Sequence, residues 1–308
     1  MASSSLGGWS ASAASTDARR ERSSSLRPRQ WAKNLLVFAG LIFGQQLHNR
    51  DAVLQSAGAF AAFCLLSSAV YLINDVIDRE TDRYHPIKAL RPVASGKLSV
   101  RHALAAAVCL IAAGLALAIT LDHTFALIAV AYLMSMGLYV GALKHVMIVD
   151  TVIISAGFVL RAWGGAVVVH VPASGWLLLV TLLLAMFLSL SKRRAELSLL
   201  LEQAGNHRQA YGRSALLDWL IGLVTAATLV TYALYTVSNE TVTRFGTRQL
   251  LLTVPLPILG MLRYLYLVYR GRGGSDPSEH LLSDVPLLAC VVLWAVAVVA
   301  IIGCPQPR

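Results

Sequence analysis

Charge is scarce in this chain. Only 14% of its 308 residues are Asp, Glu, Lys or Arg, against about 25% in a typical soluble domain. The apolar residues, 56% of the total, are gathered in long blocks. That pattern excludes a large soluble core and implies a polytopic membrane protein. Cysteine is scarce too. Cys64, Cys109, Cys290 and Cys304 form no CxxC pair and three lie inside apolar blocks, so neither a disulfide framework nor a zinc site is indicated. The 16 acidic residues are outnumbered by 26 Lys and Arg, for a formal net charge of +10. In a membrane protein such an excess marks basic cytoplasmic loops, and no nucleic-acid partner is expected. Residues 1–30 are rich in Ser, Ala and Arg and lack the apolar centre of a secretory signal. Their composition would also pass for an organellar transit peptide, but they read best as a disordered cytoplasmic tail, with residues 31–308 forming a single transmembrane domain.

The expected fold is all-α, a bundle of nine transmembrane helices. Trp31 opens a short first span, WAKNLLVFAGLIFG. Eight further apolar blocks follow at roughly 53–74, 103–121, 124–143, 147–169, 175–191, 214–237, 249–269 and 284–303, most of them near the ~20 residues that a spanning helix needs. With the amino terminus inside, 20 of the 26 Lys and Arg fall on inner segments and four on outer ones, while Arg161 and Arg263 lie within spans. This asymmetry orients the chain in the plasma membrane with its amino terminus cytoplasmic and its carboxyl terminus outside. His145 and His170 fall at opposite span ends and read as interfacial. The long polar segments all lie on the inner side, which favours a reaction at that surface over transport, where groups near the midplane must be reachable from both sides.

The most informative inner segment is NDVIDRETD, Asn74 to Asp82. Asp75, Asp78 and Asp82 recur at i, i+3 and i+7, which places them within about 60° of one another on a helix. Asn74 lies one turn before Asp78. Carboxylates this close repel unless a cation sits among them, and an oxygen-only set suits Mg²⁺, which often combines one or two carboxylates with substrate phosphates. Asn74, Asp75, Asp78 and Asp82 are therefore the expected metal ligands, and the three aspartates the expected catalytic residues. The same inner face carries Lys88, Arg91, Tyr139, Lys144, Lys192, Arg193 and Glu196. Fixed cations beside a metal site are what a polyphosphate substrate requires. Arg161 lies well inside the fifth span, where a charge is costly. It calls either for a polar cavity holding a lipid phosphate or for pairing with Asp150 or with another helix.

The stretch NDVIDRETDRYHPIKALRPVASG resembles the first aspartate-rich motif of the UbiA superfamily of intramembrane prenyltransferases, together with its following basic loop. Aromatic prenyltransferases of that superfamily carry a second aspartate-rich motif after the sixth span. Here that region reads SKRRAELSLL, with Glu196 alone among cations. The segments LKHVMIVD, GFVLRAWGGA, SKRRAEL and LRYLYLV resemble instead the decaprenyl-phosphate phosphoribosyltransferase branch. That resemblance implies a Mg²⁺-dependent transfer of 5-phosphoribose from 5-phosphoribose 1-diphosphate to a polyprenyl monophosphate, releasing diphosphate, toward arabinan precursors of cell walls. From their positions, Lys88 and Arg91 are expected to grip the donor phosphates while Tyr139, Lys144, Arg161 and Lys192 hold the lipid phosphate. An aromatic prenyltransferase of the same superfamily and a non-catalytic lipid-binding or transport protein are the competing expectations. Small residues such as Gly164 and Gly165 suit helix packing within one chain or between copies of it.

Overall fold

A computed structural model describes residues 28–84, 88–144, 146, 148–204, 207–270 and 283–303. The expected tail up to residue 27, together with His85–Ile87, His145, Arg272, Cys304 and Arg308, lies outside the described residues, as do the side chains of Arg208 and Arg213. Among the described residues every regular element is helical.

A 3₁₀ segment, Pro28–Phe38, runs into α1, Ala39–Phe43, so helix starts at Pro28, slightly earlier than the expected tail boundary. There follow α2, Arg50–Ile77; α3, Arg79–Arg83; α4, Val100–Leu121; α5, His123–Leu138; α6, Val149–Val168; α7, Gly175–Ala204; α8, His207–Val237; α9, Asn239–Phe245; α10, Pro255–Tyr269; and α11, Val285–Gly303. Eight described helices are long and apolar enough to cross a membrane, and the first apolar helix, Gln30–Phe43, is shorter.

Local chemistry sets the helix starts. The Asn49 side chain accepts the amides of Asp51 and Ala52 ahead of α2, Ser99 accepts that of His102, and Asp122 accepts that of Phe125. Each satisfies an amide that the first helical turn leaves without a partner. Pro255 opens α10, where its missing N–H costs nothing.

One expectation about a span end is corrected. The segment after residue 191 is not a loop, because α7 continues to Ala204 and α8 begins at His207. The residues after Ser191 include Ala195, Leu197 and Leu199–Leu201, which carry the helix on despite its basic patch. At 1.5 Å per residue, a 30-residue helix is about 45 Å long and outruns a ~30 Å hydrocarbon core. The fourth expected span, residues 124–143, closes where expected, with its last turn, Tyr139–Leu143, π-helical.

The helices pack as two groups. In one, Phe63 of α2 meets Phe125 and Tyr132 of α5 edge to face at 5.5 and 5.4 Å, an arrangement that suits the ring quadrupoles. Gly165 lets the Pro28–Phe38 segment lie directly on α6, since a Cβ there would overlap the backbone of Val37. Gly164 faces Phe125 and Phe63 in the same way. Both glycines are thus used for packing within the chain. In the other group, Phe187 of α7, Leu217 and Ile221 of α8, and Met261 and Tyr264 of α10 form a second core.

Candidate active site

The path from α2 into α3 bends at Asp78 without losing helical register, because the Asp78 amide donates to the Asn74 carbonyl at 2.9 Å and the Asp82 amide to the Asp78 carbonyl at 2.8 Å. Seven residues apart, Asp75 and Asp82 therefore share a face, and they are 2% and 4% exposed. The loop that follows is pinned down by burial of Val93 and Ala94 and by the Arg83 Nε donating to the Ala94 carbonyl. Its return is made at Gly96, whose φ of +80° favours glycine. This fixes Arg91, whose Nη1 donates to Asp82 Oδ2 at 2.5 Å and to Asp75 Oδ1 at 3.3 Å. Lys144 Nζ donates to Asp78 Oδ1. Asn74 is half-buried one turn before Asp78, and Lys88 is exposed at the loop's entry.

The donor set fits a hard cation shared with a substrate. Asp75 and Asp82 converge on one nitrogen, so the point that Arg91 fills is one where two carboxylates would face a metal ion. Among the described residues no three His, Cys, Asp or Glu side chains converge as a complete cage. Mg²⁺ does not require one, because it commonly takes one or two carboxylates and completes its shell with water and phosphate oxygens.

A second polar cluster is built where α5, α6 and α7 meet. The π turn Tyr139–Leu143 closes with the Lys144 amide donating to the Tyr139 carbonyl at 3.0 Å, and such wide turns recur at functional sites. It delivers Lys144 to the acidic cluster and leaves half-buried Tyr139 within electrostatic reach of Asp150, Lys192, Arg193 and Glu196. Ile148, with φ of +77°, turns the chain into α6, a strained conformation for a β-branched residue. Two residues on, buried Asp150 accepts the Thr151 amide on Oδ1 at 2.7 Å and pairs through Oδ2 with Arg193 Nη1 at 3.0 Å. Lys192 and Glu196 form a looser exposed pair at 4.0 Å.

Arg161 joins neither cluster. It is 6% exposed and about three turns up α6 from Asp150. Its Nε donates to Asn34 Oδ1 at 2.7 Å, its Nη1 to the Gly157 carbonyl at 2.8 Å and its Nη2 to Tyr132 Oη at 2.9 Å. The guanidinium also lies 4.6 Å from the Tyr132 ring centroid. Of the two expectations for this residue, pairing with neighbouring helices is the one found, and Asp150 is not its partner. Sequence reasoning did not single out Asp218 or Asp284. Asp218 accepts from Arg194 Nε at 2.8 Å and from Tyr269 Oη at 2.6 Å, and Asp284 pairs with Arg263. These ties between helix ends have no short-range pattern that would announce them.

The UbiA prenyltransferase family profile matches residues 35–192. A decaprenyl-phosphate phosphoribosyltransferase of Corynebacterium glutamicum is 35% identical over 284 residues, covering 89% of this chain and 84% of the relative. Its namesake in Mycolicibacterium smegmatis is 32% identical over 283 residues, with 88% of each chain covered. In fold, the chain is similar to a UbiA homolog from Archaeoglobus fulgidus solved with GPP and Mg²⁺, with a TM-score of 0.69 at 18% identity over 91% of this chain and 98% of that one. Family profile, full-length relatives and fold agree, and the chain belongs to the UbiA prenyltransferase family.

Proposed function

We propose that this transferase moves the 5-phosphoribosyl group from 5-phosphoribose 1-diphosphate to a polyprenyl monophosphate such as decaprenyl phosphate, releasing diphosphate. The observation that carries the reading is the division of the described polar end of the bundle into one acidic cluster and one basic cluster, in which the buried carboxylate, Asp150, is paired to Arg193. The names of the relatives that span most of the chain agree with it. A sugar diphosphate needs help at its leaving group, which the acidic cluster suits. A lipid monophosphate is already an anion near pH 7 and needs cations alone.

In this reaction the bond between ribose C1 and the diphosphate oxygen breaks while an oxygen of the lipid phosphate closes on C1. Asp75 and Asp82, with Asn74 and Asp78 beside them, would hold Mg²⁺, which when bound stabilises the charge gathering on diphosphate. Arg91 and Lys144 lie on these same carboxylates and can turn to the donor phosphates, joined by Lys88 from the loop. Tyr139, Lys192 and Arg193 face the acceptor phosphate, with Glu196 steadying Lys192. Because the attacking oxygen carries no proton, no general base is required. Arg161 braces the helices behind the site. The polyprenyl chain lies along the lipid-facing helices, and the polar end faces the cytoplasm.

Transfer of a prenyl group to an aromatic ring is the competing reading. It needs a second acidic pair where SKRRAEL stands, but that segment holds Glu196 alone, and the nearby Asp150 is already paired to Arg193. The test is turnover in detergent with two substrate pairs, each with Mg²⁺ and with EDTA. Diphosphate release from 5-phosphoribose 1-diphosphate and polyprenyl phosphate, lost in EDTA, is the expected result. Activity only with polyprenyl diphosphate and 4-hydroxybenzoate would overturn it.

A further inference from the structure

We infer that Asp150 is a positioning residue that presents Arg193 to the phosphate of the lipid acceptor, an inference resting on the proposed function for the identity of that acceptor. Asp150 is 4% exposed, and a buried carboxylate is retained only where its oxygens are satisfied. One oxygen is held by the Thr151 amide at 2.7 Å and hydroxyl at 3.3 Å, which fixes the plane of the carboxylate. The other oxygen takes Arg193 at 3.0 Å. One turn earlier on α7, Ser189 Oγ reaches Thr151 Oγ1 at 3.5 Å, so Ser189 and Arg193 bring the same face of α7 against the start of α6.

Arg193 is the end of this assembly that meets solvent, with its side chain 35% exposed. A guanidinium has five donors in a rigid fork, so one bond to Asp150 orients it without exhausting it. A cation held in one orientation before the ligand arrives loses less side-chain entropy on binding. Lys192, next in sequence, points about 100° away around the helix and pairs more loosely with the exposed Glu196 at 4.0 Å. Tyr139, in the π turn that follows α5, closes the third side, within electrostatic reach of both cations. Asp150 therefore acts on the acceptor through Arg193. The donor-side cations, Arg91 and Lys144, are held by other carboxylates.

The test compares wild type, Asp150→Asn, Arg193→Gln and the double variant in detergent. Asp150→Asn keeps the side-chain shape and removes the charge. Its KM for polyprenyl phosphate should rise about tenfold, with KM for 5-phosphoribose 1-diphosphate unchanged. The double variant should bind acceptor no worse than Arg193→Gln alone, because Asp150 has no other route to the ligand. Asp150→Glu should recover part of the loss. An unchanged acceptor KM in Asp150→Asn, an equal rise in both KM values, or additive effects in the double variant would overturn the inference. Binding of decaprenyl monophosphate followed by thermal shift, without donor, separates this result from the wider reading. If wild type binds the lipid but transfers nothing, and Asp150→Asn binds it about tenfold more weakly, the functional reading fails and the positioning role stands. If wild type turns over and Asp150→Asn binds normally, the positioning role alone fails.

Discussion

Charged residues of this chain do two different jobs, and Asp78 and Arg161 exemplify them. Asp78 lies at the mouth of the acidic cluster against Lys144, where its neighbours can rearrange when it changes. Asp78→Asn should lower turnover at least about a hundredfold, the scale on which transition-state charge stabilisation is lost, while the melting temperature in detergent stays near wild type. Arg161 is the opposite case. Its three donors reach Asn34, Gly157 and Tyr132, on three separate segments. Arg161→Met would strand the Asn34 and Tyr132 oxygens inside the bundle, at a cost on the order of 1–3 kcal/mol for each unsatisfied group. Thermal unfolding should show a clear drop, and the KM values of the surviving folded fraction should stay near wild type. A stable Arg161→Met protein with a raised acceptor KM would restore the lipid-phosphate role first considered for this residue. The sequence showed that Arg161 needed a partner because of its depth in a span. Its partners were illegible, since Asn34 lies 127 residues away and nothing local links the two.

At the scale of elements, periodicity and hydropathy were good guides wherever the membrane itself shaped the pattern. The long apolar blocks became helices close to their expected ends, and the i, i+7 spacing of Asp75 and Asp82 put both on one guanidinium. The reading failed where helix continues past the apolar run. The extension of α7 to Ala204 carries Lys192, Arg193, Arg194, Glu196 and Glu202, so hydropathy closed the span at residue 191 while the backbone continued. The first helix is a different difficulty. Much of it is 3₁₀, with a rise of about 2.0 Å per residue, so its sixteen residues from Pro28 to Phe43 cover more distance than an α-helix of that length. It is seated by contact with α6, where Gly165 meets Val37 and Gly40 meets Ala166. Gly165→Val should push this helix off α6 and take Asn34 away from Arg161. The expected outcome is loss of monodisperse protein in detergent, whereas Gly222→Val, where nothing lies within 4 Å, should behave as wild type.

For the whole molecule, the distribution of ion pairs and that of Lys and Arg give the same picture from different sources. The pairs Arg91–Asp75, Lys144–Asp78, Arg193–Asp150, Arg194–Asp218 and Arg263–Asp284 all fall at the end of the bundle where α2 finishes, α6 begins, α7 emerges and α11 begins. The opposite end holds short connections, the caps of α2 and α5, and α9. The basic excess of the inner segments predicts that the ion-paired end faces the cytoplasm, where a water-soluble sugar diphosphate would reach the acidic cluster without crossing the membrane. The orientation can be read with single cysteines in a background whose native cysteines are replaced by serine. Arg101→Cys lies in the first turn of α4 at the ion-paired end, and Arg248→Cys lies beyond α9 at the other; both positions are exposed. In intact cells a membrane-impermeant maleimide should label position 248 and spare position 101 until the membrane is opened. The reverse labelling would place the acidic cluster outside, where the soluble donor would have to be exported to be used, and both the orientation and the proposed reaction would fall together.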